Sequence, residues 1–354
     1  MSKFLTERLV GLEAYVPGEQ PQDKQYVKLN TNECPFPPSP YALRLARQAA
    51  GNLNLYSDPE CRVLTSVAAE KFGVNAENMI FTNGSDEVLN FAFLAFCNEQ
   101  TPAVFPDVTY GFYSVFASLN GVPYREIPLT EDYRVNVNDY LNVGGTIFLA
   151  NPNAPTGIAL TKGEIESILK ANPNNVVVVD EAYVDFGGES ALSLIDTYDN
   201  LLVTRTFSKS RSLAGARLGI GFGSPSLIAD LKKIKYSTNP YNVNSMTAAA
   251  GVGALADEEY FVANVKTICE NREYLSKELK ARGFDVLPSS ANFVFAKSSD
   301  ITGETLYKKL KEKGVLVRYF GKPRLQEYVR ISIGTKEELD VLLASIDGIT
   351  EVKE

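Results

Sequence analysis

Short apolar runs alternate along this chain with longer stretches in which apolar positions recur every three to four residues. Ile147-Phe148-Leu149 and Val176-Val177-Val178-Val179 are continuously apolar, the pattern of strands covered on both faces. Similar runs at residues 79–82, 103–105, 201–204 and 218–222 predict further strands. Helical patterns lie at residues 41–51, at 63–72 before Gly73, at 88–97 and at 163–171. Strands alternating with helices predict an α/β fold with a mostly parallel sheet. From about residue 245 the texture changes, with long helical patterns at 247–256 and 260–282 followed by alternating strands at 292–295 and 329–333. The run Pro35-Phe36-Pro37-Pro38-Ser39-Pro40 closes an irregular opening stretch. The organisation expected is an N-terminal arm over 1–40 packed on the small domain, a large domain over 41–244 and a smaller α+β domain over 245–354.

Composition narrows the chemistry. With 354 residues, 45% of them hydrophobic and 22% charged, the chain has the profile of a globular protein of roughly two domains. Histidine is absent, which removes Ser-His-Asp triads, Cys-His dyads, histidine metal ligands and histidine bases. Proton transfer must fall to Lys, Asp, Glu, Tyr or Cys. A net charge of −8 disfavours a nucleic-acid groove, and the densest basic cluster, Lys232, Lys233 and Lys235, reads as a solvated helix face. The four cysteines, at 34, 61, 97 and 269, form no CxxC and show no metal-like spacing; Cys97 reads as a buried thiol. No signal-peptide core or membrane-length apolar run stands out, so the expectation is a soluble, cytoplasmic protein.

Ligands of open α/β sheets bind at the carboxyl ends of strands, so the residues directly after each predicted strand are the candidates for chemistry. Residues 79–82 are followed by Gly84-Ser85-Asp86 at a helix start, where free backbone amides favour an anion. The loop Asn151-Pro152-Asn153-Ala154-Pro155-Thr156-Gly157 comes after 146–150. Asp180-Glu181-Ala182-Tyr183 comes after the valine run, and Thr206-Phe207-Ser208-Lys209-Ser210 after 201–204, with Arg217 beyond. A lysine at a strand end can form a Schiff base with an aldehyde cofactor, and a buried carboxylate can keep a pyridine nitrogen protonated. Gly219-Ile220-Gly221-Phe222-Gly223 lies inside a strand pattern and opens no helix, so it reads as structural.

Residues 206–219, centred on Ser208-Lys209, resemble the lysine signature of the fold-type I pyridoxal-phosphate aminotransferases. Leu29-Asn30-Thr31-Asn32-Glu33, Tyr56-Ser57-Asp58-Pro59, Asn83-Gly84-Ser85-Asp86-Glu87, Asp180-Glu181-Ala182-Tyr183 and Val329-Arg330-Ile331-Ser332-Ile333 extend the match in order along nearly the whole chain. It is most similar to the histidinol-phosphate branch of that family. The resemblance implies pyridoxal 5′-phosphate as cofactor and, as catalytic residues, Lys209 as its Schiff-base lysine, Asp180 on the pyridine nitrogen and Tyr183 on the ring hydroxyl. It implies Tyr110 stacked on the ring and a phosphate held by Gly84, Ser85, Asp86, Thr206, Ser208 and Arg217. A homodimer is implied, with Tyr56 reaching the phosphate across the interface. Arg330, Arg318 and Tyr15 would bind substrate.

One position departs from the family: the asparagine usual before Pro-Thr-Gly is Ala154 here. Asn153 is expected to take its place at the ring, with Asn151 as the alternative. The implied reaction is ping-pong transamination of histidinol phosphate with 2-oxoglutarate, a step of histidine biosynthesis. Alternatives on the same fold are an aromatic or broad-specificity aminotransferase and a threonine-phosphate decarboxylase; a more distant one is a non-catalytic cofactor-binding regulator.

Overall fold

The computed structural model describes residues 2–350. Along the chain come β1 (Val27–Lys28), α1 (Pro40–Ala49), α2 (Arg62–Phe72), β2 (Met79–Asn83), α3 (Ser85–Phe96), β3 (Ala103–Pro106), α4 (Phe112–Asn120) and β4 (Tyr124–Ile127). They are succeeded by β5 (Thr146–Ala150), α5 (Lys162–Ala171), β6 (Val177–Asp180), β7 (Leu201–Thr206), β8 (Leu218–Gly223), α6 (Pro225–Thr238) and α7 (Ser245–Ala256). The last third holds α8 (Glu258–Ala281), β9 (Phe284–Val286), β10 (Phe293–Ser298), α9 (Gly303–Glu312), β11 (Val315–Leu316), β12 (Arg318–Tyr319), β13 (Tyr328–Ser332) and α10 (Lys336–Thr350).

Seven strands form the large sheet in the order β2-β8-β7-β6-β5-β3-β4. Every neighbouring pair is parallel except the two that involve β8, which runs antiparallel to β2 and β7. The apolar strands β5 and β6 are buried over their whole length, as a sheet covered on both faces requires. One core lies on the face lined by Phe81, Leu149, Val179 and Val203; the other holds Phe93, Phe148, Val178 and Leu202. Alternate residues of one strand thus feed opposite faces. The parallel run aligns the carboxyl ends of β5, β6 and β7, so Asn151, Asp180 and Thr206 come out along one edge.

A four-stranded antiparallel sheet, ordered β12-β13-β10-β9, packs with α8 and α10 around Val294, Ile331, Leu275 and Leu342. Helix α7 joins the core of the large sheet through Ala250 and Ala254, whereas α8 buries Ile268, Leu275 and Leu279 in the other core. The passage between the two cores therefore falls at α8 rather than at residue 245. The opening stretch is less irregular than its prolines suggest, because β1 pairs in parallel with β11 in a separate two-stranded sheet, and Leu29 and Val315 join the core of the small domain. The expected solvated face of α6 holds for Lys233 and is corrected for its two neighbours in the cluster. Lys235 is buried and donates to the Pro59 carbonyl at 2.6 Å, and Lys232 pairs with Glu60 at 3.1 Å, so this helix grips the loop after Tyr56. Cys97 is buried among apolar side chains, which pushes its thiol up to about 12.

Candidate active site

The strand ends and the opening stretch enclose a cavity of about 990 Å³, lined by residues from both sheets. At its floor Asp180, the last residue of β6, is buried and accepts from Thr204 Oγ1 at 2.9 Å and Tyr113 Oη at 3.3 Å. Neither donor carries charge. Burial foremost pushes the Asp180 carboxyl up to about 6, and the nearby Asp86 adds to the rise. A buried carboxylate without a cation is costly, and this one faces a cavity in which a cationic ring nitrogen can sit.

Lys209 lies just beyond β7 and points its amine into the same cavity, where Nζ donates to the Thr31 carbonyl at 3.1 Å. Burial first, then the Arg330 guanidinium, brings its amine down from 10.5 to about 8. A neutral amine is thereby accessible near physiological pH, as nucleophile and proton carrier alike. The Tyr183 ring lies 5.8 Å from this nitrogen and packs edge-on against Phe293.

At the other end, β2 turns through Gly84, with φ +79, into α3. The first amides of a helix have no partner within it and carry the positive end of its dipole. Arg217 adds charge there, donating to Asp86 Oδ2 at 3.1 Å, while Tyr110 Oη donates to Asp86 Oδ1 at 2.7 Å. Ser85, Asp86, Thr206 and Ser208 complete this rim. Gly84 and Gly219 keep it open. A Cβ at Gly84 would sit 2.6 Å from Arg217 Nη2, and one at Gly219 would sit 2.3 Å from the Gly84 carbonyl carbon and the Ser85 nitrogen. The glycine at 219 is required by this close approach, a role that a strand pattern alone does not reveal.

The opposite wall holds the substrate candidates. Arg330, on β13, donates through Nη2 to the Asn30 carbonyl at 3.1 Å, and its buried Nε has no partner among the described residues. Arg318 donates to the carbonyls of Val16 and Pro17 at 2.8 and 3.1 Å, fastening the segment that carries Tyr15. The Tyr15 ring stacks on Phe112 at 4.1 Å and lies 6.5 Å from Tyr110.

Most of the expected residues thus line one cavity, with Gly84 in the turn behind its rim, whereas Asn153 and Tyr56 lie apart from it. Asn153 turns inward: its Nδ2 donates to the Val108 carbonyl and Thr156 Oγ1, and its Oδ1 accepts from Thr109 Oγ1. Ala154 lines the cavity instead, and Asn151 is equally engaged, with the backbone of Leu160. The expectation that Asn153 reaches the ring is therefore corrected. Tyr56 stands outside the cavity, 84% exposed and stacked on Tyr241 at 4.6 Å. Sequence reasoning gives no role to Asn32, whose Nδ2 donates to Tyr183 Oη at 3.0 Å, or to Tyr113 on Asp180.

Comparison with known proteins accords with this geometry. The family model described as aminotransferase class I and II matches residues 24–346. The chain is 47% identical over 351 residues to the histidinol-phosphate aminotransferase of Brachyspira hyodysenteriae, covering 99% of each protein. It is likewise 47% identical over 355 residues to that of Marinomonas sp., covering 98% of this chain and 99% of the relative. Among solved structures, histidinol-phosphate aminotransferase from Sinorhizobium meliloti in complex with pyridoxal-5′-phosphate superposes with a TM-score of 0.86 at 25% identity, over 94% of this chain and 92% of that one. L-threonine-O-3-phosphate decarboxylase from Porphyromonas gingivalis shares the fold, with a TM-score of 0.80 at 20% identity over 92% of this chain and 99% of its own.

Proposed function

The chain belongs to the class I and II aminotransferases, and we propose that it moves an amino group between histidinol phosphate and 2-oxoglutarate with pyridoxal 5′-phosphate as cofactor. One arrangement carries the reading: a half-buried amine, Lys209, and a buried carboxylate, Asp180, with no cation beside it among the described residues, share a cavity walled by Arg330. The residues fit the cofactor. The amide-rich start of α3, with Thr206, Ser208 and Arg217, suits its phosphate; Asp180 suits its ring nitrogen; Tyr183 suits its ring hydroxyl; and Tyr110 suits a ring face. When bound, this group supplies an aldehyde for Lys209 and a ring that withdraws electrons from the substrate's Cα.

The chain's own residues do the rest. Lys209 Nζ, whose hold on its proton burial brings down to about 8, takes the proton from the substrate Cα and returns it elsewhere on the same face. Asp180, once beside a cation, stays ionised and holds the ring nitrogen's proton in place. Arg330 offers a planar fork whose Nε is free of other partners among the described residues, and such a fork binds a carboxylate or a phosphate equally well. One cationic wall can therefore receive both substrates in turn, with Arg318 beside it. Tyr15, on the segment held by Arg318, closes the cavity against water. We further propose a cytoplasmic homodimer in which Tyr56 of a second copy reaches the phosphate; its exposure and the grip of α6 on its loop support this.

Product analysis tests the proposal. The loaded enzyme, given histidinol phosphate and 2-oxoglutarate, should form glutamate and imidazole-acetol phosphate, and phenylalanine should be a poor donor. Preferential use of phenylalanine would overturn the substrate assignment. Carbon dioxide release from threonine phosphate would turn the reading to a decarboxylase.

A further inference from the structure

Tyr183 stands on the loop after β6, three residues past Asp180, and nothing in that loop fixes which way its hydroxyl proton points. The partner of that hydroxyl comes from far away in sequence. Asn32 is 1% exposed and held at φ +56, a left-handed conformation that asparagine tolerates better than most residues. Its backbone N–H donates to Ser332 Oγ at 2.8 Å, and its carbonyl accepts from Asn292 Nδ2 at 3.0 Å. Ser332 Oγ in turn donates its single proton to Asn32 Oδ1 at 2.9 Å. That contact decides the amide's orientation, because the reversed amide would leave a buried hydroxyl proton without an acceptor. Nδ2 must then face Tyr183 Oη, 3.0 Å away, and an amide nitrogen can only donate.

We propose that Asn32 is a positioning residue for Tyr183: oriented by Ser332, its amide donates to the phenol oxygen and so turns the phenol's own proton into the cavity. The inference rests on the proposed function, in which the cofactor's ring oxygen lies in front of Tyr183. It also gives the Ala154 departure a physical consequence. With no asparagine side chain at 154, Tyr183 is the hydroxyl donor at that oxygen, and the direction of its proton decides whether the bond is made. Because Ser332 lies on β13 and Tyr183 comes after β6, Asn32 also ties the small sheet to the cofactor's ring contact. The charged and titratable groups that face Tyr183 are Arg330, Asp180, Asp86, Lys209, Tyr15 and Tyr113; Asn32→Gly leaves them all in place, whereas Asn32→Asp adds a carboxylate.

The test is a pH titration of the cofactor's visible absorption band in the loaded enzyme, for wild type, Asn32→Gly, Asn32→Asp, Tyr183→Phe and Asn32→Gly/Tyr183→Phe. A donor at the ring oxygen favours its deprotonated form, so losing the donor moves the midpoint upward. Glycine keeps the backbone conformation and deletes the amide. Aspartate keeps the shape but can only accept, drawing the phenol proton away from the cofactor. Each single variant should raise the midpoint by about one pH unit, the size of one strong hydrogen bond. The double variant should titrate no higher than Tyr183→Phe alone, a result that a merely structural role for Asn32 would not produce. Asn32 variants that titrate like wild type, or a glycine effect that adds in full to that of Tyr183→Phe, would overturn the proposal. Should Asn32→Gly not fold, Asn32→Asp is read against Asn32→Asp/Tyr183→Phe: the added charge acts in both, and only a rise that disappears with the phenol supports the proposal. A wild-type enzyme with no visible band would overturn the cofactor reading as well, whereas a band sensitive to Tyr183→Phe and insensitive to Asn32 overturns this inference only.

Discussion

Gly219→Ala is expected to abolish tight cofactor binding without touching any group that contacts the cofactor through a side chain. The added Cβ would stand 2.3 Å from the Gly84 carbonyl carbon and the Ser85 nitrogen and 2.6 Å from the Gly84 oxygen. Ordinary contact begins near 3.4 Å, so the turn into α3 must retreat by roughly 1 Å, a displacement able to cost on the order of 100-fold where geometry is demanding. The neighbours are backbone, and no rotamer change relieves them. Losing one or two charge-assisted bonds from the α3 amides corresponds to about 3 kcal/mol, or roughly a 100-fold rise in Kd. Apoenzyme stability should fall by about 1–3 kcal/mol, the usual cost of overpacking. Gly221→Ala is the matched control, two residues along the same strand and on the same face. Its Cβ would meet Val88 Cγ1 at 2.9 Å and Ile80 Cγ2 at 3.2 Å, both side-chain methyls that can shift. It should lower stability and leave cofactor affinity unchanged. Titrating each apoenzyme with pyridoxal phosphate, followed by absorbance, reads the affinities, and thermal melts read the stabilities. Wild-type affinity in Gly219→Ala, or equal weakening in both variants, would refute the reasoning.

The buried charges lead to further outcomes. Burial holds Lys209 at about 8 rather than 10.5, so the folded apoenzyme carries the full cost of that cation below pH 8 and progressively less as pH rises toward 10.5. Lys209→Met should therefore abolish turnover yet raise the apoenzyme's melting temperature near pH 7, with the gain shrinking above pH 8. Burial also raises Asp180 to about 6; below that pH the free enzyme protonates it, and affinity for a cationic ring nitrogen should fall as pH falls through 6. Asp180→Asn should flatten that dependence and lower kcat by about 100-fold or more, as parallel binding and rate measurements at several pH values would reveal. Arg330→Lys replaces a fork with a point charge and should raise KM for donor and acceptor alike by about tenfold, with a smaller change in kcat.

The large sheet is legible in the sequence where burial is complete on both faces. The runs at 147–149 and 176–179 belong to β5 and β6, and the short apolar stretches around them form β2, β3, β7 and β8. The exposed edge strand β4, Tyr124–Ile127, escapes such a reading because its residues are largely solvated and its apolar pattern is weak. Lysines 232 and 235 look like a solvated stripe, since their partners, Glu60 and Pro59, lie far back in the sequence. The same limit hides Asn32: local spacing cannot indicate that Ser332 and Tyr183 meet on one amide. The expected substitution of Asn153 for the residue missing at 154 fails, because which residue of a proline-rich loop faces a cavity depends on backbone direction rather than on residue type. Residues that sit directly at strand ends, such as Asp180 and Lys209, are legible because the topology of parallel sheets carries them to one edge.

The most direct test is a single donor half-reaction, monitored through the visible band of the loaded enzyme after mixing with one amino donor and no acceptor. Histidinol phosphate and glutamate should each convert wild type rapidly, phenylalanine only slowly, and Lys209→Ala should convert with none of them. Conversion by Lys209→Ala at a wild-type rate, or failure of histidinol phosphate to convert wild type at all, would contradict the account.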